Sequence, residues 1–149
     1  MLAKLTALLN GSALQRAEQR LAQLEAVLEA VDKTQARIEF DLDGHILDAN
    51  KAFLDLMGYQ LPDIQGRHHR IFLDDEEANS AKYKAFWSQL RRGECQSGEF
   101  KRLTKHDSEV WIQAAYNPVF DADGQVTHFV KEALNKSPKS AIIRPSSIA

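Results

Sequence analysis

Residues 38–72 read IEFDLDGHILDANKAFLDLMGYQLPDIQGRHHRIF, and the fold is decided here. Ile38, Phe40 and Leu42 alternate with Glu39, Asp41 and Asp43, the period of a strand with one buried face. Asp43-Gly44 is a hairpin signal, because glycine takes positive φ at no steric cost, and Ile46-Leu47-Asp48-Ala49 returns as a second strand. Asn50 is placed to cap a short helix that turns Phe53, Leu54 and Met57 inward, and Gly58 stops it. Leu61-Pro62-Asp63-Ile64 and Gly66 then read as short turns.

Upstream, the period is helical. Asn10-Gly11-Ser12 reads as a break, and Ser12 with Gln15 forms a capping box that starts a helix. Leu14, Ala17, Leu21, Leu24, Leu28 and Val31 follow at alternating steps of three and four, an a/d seam over almost three heptads. A stripe this narrow suits a partner helix better than the broad face of a domain, so a homodimer through this helix is expected. Leu2, Leu5, Leu8 and Leu9 suggest a separate short amphipathic turn in the same assembly. Asp32-Lys33-Thr34-Gln35 has no apolar residue to lock the joint and is assigned the hinge.

Downstream, a helix is predicted from about Glu77 to Arg92, with Tyr83, Phe86, Trp87 and Leu90 on one face and Gly93 as its stop. Three strands follow, over 97–104, 109–119 and 126–133, separated by polar turns at 105–108 and 121–124. Residues 135–149 read as a weakly ordered tail. The division is thus 1–35 dimerisation helix, 36–134 globular domain and 135–149 tail. The class is α+β, an antiparallel sheet with helices over one face and a pocket between the two layers.

Composition narrows the function. A net charge of -2 with both signs interspersed offers no footprint for nucleic acid. No apolar run approaches the ~18 residues of a membrane span, and the N-terminus lacks a secretory pattern, so a cytoplasmic location is expected. One cysteine, Cys95, excludes an internal disulfide and a Cys-rich metal site. No P-loop, glycine-rich dinucleotide turn, His-Glu-x-x-His helix or serine-triad arrangement is present, so catalysis has no support in the sequence.

The ordered set Asp41 to Ile46, Asn50 to Phe53, Gly58-Tyr59 and Gly66 resembles the first half of a PAS domain. FWSQLRRGECQSGEFKRLTKHDSEVWIQAAYNPVFDADGQVTHFV, residues 86–130, resembles the second half, with Gly93, Trp111, Pro118 and Asp123-Gly124 in place. The wording is most similar to PAS modules of bacterial methyl-accepting chemotaxis proteins of the aerotaxis and biofilm-dispersion type. The resemblance implies a five-stranded antiparallel sheet of order 2-1-5-4-3, dimers built through an N-terminal helix, and a sensory role with a downstream signalling partner or output domain. It also implies a flavin, haem, a small metabolite or no ligand at all. A receptor of this kind continues into a long helical hairpin, whereas this sequence stops at Ala149; whether it is a fragment or a stand-alone sensor stays open.

Several residues are candidates for ligand contact. His68 and His69, after Gly66, offer a haem ligand or a donor to flavin, or else one buried structural imidazole beside an exposed one; adjacent side chains diverge, so both cannot reach one pocket. Light-oxygen-voltage domains also resemble this run, but His69 stands where their reactive cysteine would be, which argues against a cysteinyl-flavin photocycle. Trp87 and Asn50 match the flavin pattern of aerotaxis receptors, while Leu73, Asp74 and Arg102 depart from it. Flavin adenine dinucleotide (FAD) is therefore expected ahead of haem, in a sensor of redox state or oxygen, with a cofactor-free module that binds a small metabolite or only a protein partner as the alternative. Trp87 equally reads as helix core. Arg91-Arg92 and Lys101-Arg102 read as solvated charge, although Arg102 also occupies a pattern position. Alternation puts Trp111, Gln113, Ala115 and Asn117 on one face of their strand; either that face or the Ile112, Ala114, Tyr116, Pro118 face lines the pocket.

Overall fold

The computed structural model describes residues 2–137, with side chains from Asn10 onward. It divides between Thr34 and Gln35 into two compact units.

The first unit is one helix, α1 (Leu2–Asp32). It runs unbroken through Asn10-Gly11-Ser12, so the expected break and capping box are not used. A single glycine inside a helix costs only about 1 kcal/mol relative to alanine, too little to interrupt a run of good helix formers. Leu14, Leu21, Leu24, Val27 and Leu28 are all exposed, with Leu21 at 56% and Leu24 at 50%. The side chains of Leu2, Leu5, Leu8 and Leu9 lie outside the described residues.

The second unit opens with β1 (Ala36–Phe40) and β2 (Ile46–Ala49), then α2 (Lys51–Met57) and α3 (Leu61–Ile64). A 3-10 turn (His69–Phe72), α4 (Asp75–Ala78), α5 (Ala81–Arg91), β3 (Gln96–Leu103), β4 (Glu109–Phe120) and β5 (Val126–Asn135) complete it. The five strands form one antiparallel sheet of order β2-β1-β5-β4-β3, as the resemblance implies. Two turns repeat one device. In Asp41-Leu42-Asp43-Gly44-His45 the Asp41 carboxylate accepts from the backbone N–H of residues 43 and 45, and in Asp121 to Gln125 the Asp121 carboxylate does the same. Leu42 falls inside the first turn and is exposed, so the strand alternation ends at Phe40.

Asn50 caps α2 as expected, and Gly58 ends it at φ 78°. The helix predicted over 77–92 is instead two. Asp74 caps α4 by accepting from the Glu77 N–H at 2.8 Å, and Ser80 starts α5 by accepting from Tyr83 N–H at 3.1 Å. Side-chain oxygens at these positions compete with the helical backbone for its own N–H groups, and a new start wins. β5 runs one residue beyond the expected domain edge, and the ladder continues: Lys136 N–H donates to Trp111 O at 2.7 Å and Trp111 N–H to Ser137 Oγ at 3.1 Å. The start of the expected tail is thus paired; residues 138–149 lie outside the described ones.

The core lies between one sheet face and the helices. Ala36, Ile38, Phe40, Ile112, Ala114, Tyr116 and Phe129 come from the sheet, and Phe53, Met57, Ile64, Phe72, Trp87 and Leu90 from the other layer. This settles the β4 ambiguity. Ile112, Ala114, Tyr116 and Pro118 face inward, while Trp111, Gln113 and Asn117 lie on the opposite face of the sheet.

Candidate functional site

The 3-10 turn places His69 at the centre of the layer between sheet and helices, with no exposed surface. Its Nδ1 is 2.7 Å from the Tyr83 hydroxyl on α5, and its Nε2 is 3.0 Å from the Tyr116 hydroxyl on β4. A neutral imidazole donates from one nitrogen and accepts at the other, so both are committed. Burial pushes its pKa well below the ordinary 6.5, and the Arg102, Lys131 and His68 charges push the same way. Rings pack around it: Phe40, Phe72, Tyr83, Tyr116 and Trp87 have centroids 5.2–5.8 Å away. The tyrosines are held protonated by burial, Tyr83 up to about 12.

His68 diverges from its neighbour. Its Nδ1 accepts from Arg70 N–H at 3.0 Å, and its ring rests beside His45 and Trp87. A Cβ on Gly44 would meet the His68 ring at 2.7 Å, and with φ at 85° that position admits little but glycine.

Arg102 is the main correction to the charge reading. It is 2% exposed, not solvated. Nη1 donates to Glu77 Oε1 at 3.3 Å and Lys101 O at 2.8 Å, and Nη2 to the Tyr116 hydroxyl at 3.2 Å. The guanidinium lies over the Phe100 ring, 4.9 Å from its centroid. Its Nε and the Trp87 Nε1 are buried with no hydrogen-bond partner among the described residues. The Trp87 N–H nonetheless acts on the Tyr83 hydroxyl, opposing the upward push of burial on its pKa.

Lys131, on β5, is 1% exposed and was not legible as a site residue. Its ammonium meets the faces of Tyr116, at 4.9 Å, and Phe53, at 5.7 Å. No carboxylate pairs with it among the described residues. Burial and then Arg102 lower its pKa well below 10.5. The strand alternation alone places residue 131 inward with Phe129 and Ala133, and that signal could have found it.

Asn50 serves the backbone. Its Oδ1 accepts from Arg37 N–H at 2.9 Å and Phe53 N–H at 3.0 Å, and its Nδ2 donates to Gln35 O at 2.8 Å. Of the eight candidates, the structure gathers His69, Trp87 and Arg102 at the interior, with His68 at its rim. Asn50 is spent on a cap, and Gln113 and Asn117 lie on the outer sheet face.

Beside this interior, a cleft of about 630 Å³ opens between α5 and the edge strand β3. Tyr83 and Phe86 line it from α5, Phe100 and Arg102 from β3, and Trp111 reaches its border.

Residues 46–132 match the family described as PAS fold. The chain belongs to the PAS family. Its PAS domain is 46% identical over 106 residues to the biofilm dispersion protein BdlA of Pseudomonas aeruginosa, covering 71% of this chain and 25% of that protein. It is 29% identical over 121 residues to the blue-light-activated histidine kinase of Brucella canis, covering 74% of this chain and 24% of the kinase. The chain thus spans about a quarter of the length of these two relatives. Among solved structures, a light-oxygen-voltage domain studied with a flavin analogue superimposes with a TM-score of 0.64 at 23% identity, covering 85% of this chain and 94% of that one. A PAS domain from Colwellia psychrerythraea reaches 0.65 at 21% identity, covering 75% and 95%. These last two likenesses are of fold. No helix among the described residues is long and apolar enough to cross a membrane.

Proposed function

We propose that this PAS domain is the input module of a homodimeric signalling protein, of the kind that the resemblance to chemotaxis receptors implies. It responds to a small metabolite and passes the response through α1 to a downstream partner or output domain. The observation that carries this is the exposed seam of α1, where Leu14, Leu21, Leu24 and Leu28 recur at heptad spacing with half or more of most side chains in water. Burying each leucine against a partner is worth about 1.5–3 kcal/mol, which four per chain convert into a stable pair. Asp32-Lys33-Thr34-Gln35 is the hinge of this reading, where two packings of the helix pair need differ by only about 1–3 kcal/mol.

A flavin, FAD first, has the support of the light-oxygen-voltage likeness and of the name of the Brucella kinase. Asn50 is committed to backbone groups, both nitrogens of His69 are bonded to tyrosines, and Phe40, Tyr83, Trp87 and Tyr116 are packed in the buried core, so a flavin seated there would have to displace these contacts. A haem on His69 meets the same obstacle, since neither nitrogen is free. No step is derived through either group.

Sedimentation of the parent and of a Leu21→Glu/Leu24→Glu variant tests the reading. The parent should be a dimer and the variant a monomer with an unchanged circular dichroism signature of the sheet. A variant that stays dimeric removes α1 as the interface. The absorption spectrum of the same parent sample is expected to lack flavin bands near ~450 nm and a haem Soret band; either band would overturn the metabolite reading.

A further inference from the structure

We propose that the cleft between α5 and β3 binds a small planar aromatic carboxylate, with Arg102 as the residue that receives the carboxylate. This rests on the reading of the chain as a metabolite-responsive module, and it names the class of metabolite.

Its volume, about 630 Å³, lies within the range of small-ligand sites, about 300–1,000 Å³. Its walls are rings. Tyr83 and Phe86 lie nearly parallel, 13° apart with centroids at 6.3 Å, and Phe100 meets Phe86 edge-on at 6.2 Å. Such walls favour a flat aromatic guest, which they can meet by offset or edge-to-face contact.

The polar end is set by Arg102. A guanidinium carries five N–H donors in a fixed fork. Three contacts are made, to Glu77, Lys101 O and Tyr116, which leaves one Nη2–H and the Nε–H, the latter fully buried, so that a guest reaches it only by displacing what covers it. A buried charged donor without an acceptor costs more than a neutral one, and no side chain or carbonyl among the described residues relieves it. A carboxylate supplies two acceptor oxygens in the geometry that a guanidinium edge matches.

Lys82, Lys101 and Arg102 line the cleft beside Glu77 and Glu99. Lys101 is held by Asp74 at 3.1 Å and Glu109 at 3.7 Å. A bare anion such as phosphate would satisfy Arg102 but leave the three rings unmatched.

The consequence for signalling is local. A ligand that takes Arg102 also pulls on the Tyr116 hydroxyl, and through it on His69 and Tyr83, so β4, the 3-10 turn and α5 share one hydrogen-bonded chain with the cleft.

The test is a titration of the full chain, followed by nuclear magnetic resonance of backbone amides and arginine Nε–H groups. The probes are benzoate and indole-3-acetate, with benzamide and acetate as controls. The aromatic acids should shift the Arg102 Nε–H and the amides of α5 and β3 saturably. Benzamide, with the ring but not the charge, and acetate, with the charge but not the ring, should each bind at least about tenfold more weakly. Arg102→Lys, which keeps a charge but loses the fork, should weaken benzoate by about tenfold or more. If benzamide equals benzoate, or if shifts centre on the outer-face residues Gln113 and Leu134, the assignment is wrong. If the parent shows no saturable shift with either acid, it is also wrong, whatever the variant does. A monomeric parent that binds benzoate would sink the dimeric reading and leave this site standing; a dimer that takes neither acid would sink the site alone.

Discussion

Replacing His69 by phenylalanine tests whether the interior is held by its hydrogen-bonded chain or only by packed rings. Phenylalanine keeps the ring but removes both nitrogens. The Tyr116 hydroxyl retains its bond from Arg102, whereas the Tyr83 hydroxyl loses its 2.7 Å partner and keeps only the weaker influence of the Trp87 N–H. A buried hydroxyl left alone costs about 1–3 kcal/mol, and the slightly larger ring adds roughly 1 kcal/mol of overpacking. The expected loss is therefore about 2–4 kcal/mol, which for a domain of about 100 residues lowers the melting temperature by some 10–25 °C. Adding Tyr83→Phe removes the stranded hydroxyl, so the double variant should regain about 1–2 kcal/mol over His69→Phe alone. Urea unfolding at one fixed protein concentration, followed by far-ultraviolet circular dichroism, gives all three values. A His69→Phe protein within about 0.5 kcal/mol of the parent would refute the reasoning. So would a double variant whose loss equals the sum of the two single losses.

Three further outcomes follow from the same interior. Stability should rise with pH from about 5 toward 10, because the unfolded chain takes up protons at His69 below 6.5 and at Lys131 below 10.5 that the fold, holding both pKa values well lower, refuses. Above about 10 the trend should reverse, since the unfolded chain gives up tyrosine protons that buried Tyr83 and Tyr116 retain; a melting-temperature maximum near pH 6 would contradict this. Lys131→Met replaces an ammonium without a carboxylate by an apolar chain of similar length, and should raise stability by about 1–3 kcal/mol and flatten the alkaline part of that profile. Asn50→Ala should cost about 2–3 kcal/mol in urea unfolding, more than the ~1 kcal/mol of an ordinary cap, because the amide also ties Arg37 N–H and Gln35 O to the start of α2.

The turns, the cap and the first strand were legible because each rests on local chemistry: Asp-Gly at residues 43–44 and 123–124, the Asn50 cap, and period-two alternation in β1, whereas the strand order came from the resemblance. The helix boundaries failed for one reason. Ser12 and Ser80 carry the same capping chemistry, yet only Ser80 begins a helix. Ser80 follows a short helix already closed by Asn79, whereas Ser12 sits in a run of leucines and alanines that keeps its helix intact. Local pattern cannot weigh such neighbours. Arg102 and Lys131 escaped for another reason: an isolated basic residue reads as solvated unless the face it shares is read with it. Lys131 shares its face with Phe129 and Ala133, so its alternation carried the signal, whereas Arg102 sits on a strand of mixed burial where alternation does not separate the faces. Of the two faces of β4, the Ile112, Ala114, Tyr116, Pro118 face is the more apolar, but the amides of Gln113 and Asn117 would also suit a polar ligand, so the choice awaited the helices that cover one face.

The register of β1 with β5 has a consequence for architecture. Ala36, the first residue of β1, lies directly across from Ala133, near the last residue of β5. Neighbouring strands are about 5 Å apart, so the polypeptide enters and leaves the sheet through adjacent doors at one end. A unit with that plumbing can be spliced into a longer chain without displacing what comes before it from what comes after. Duplication in tandem, or insertion between two helices, then requires almost no connecting length.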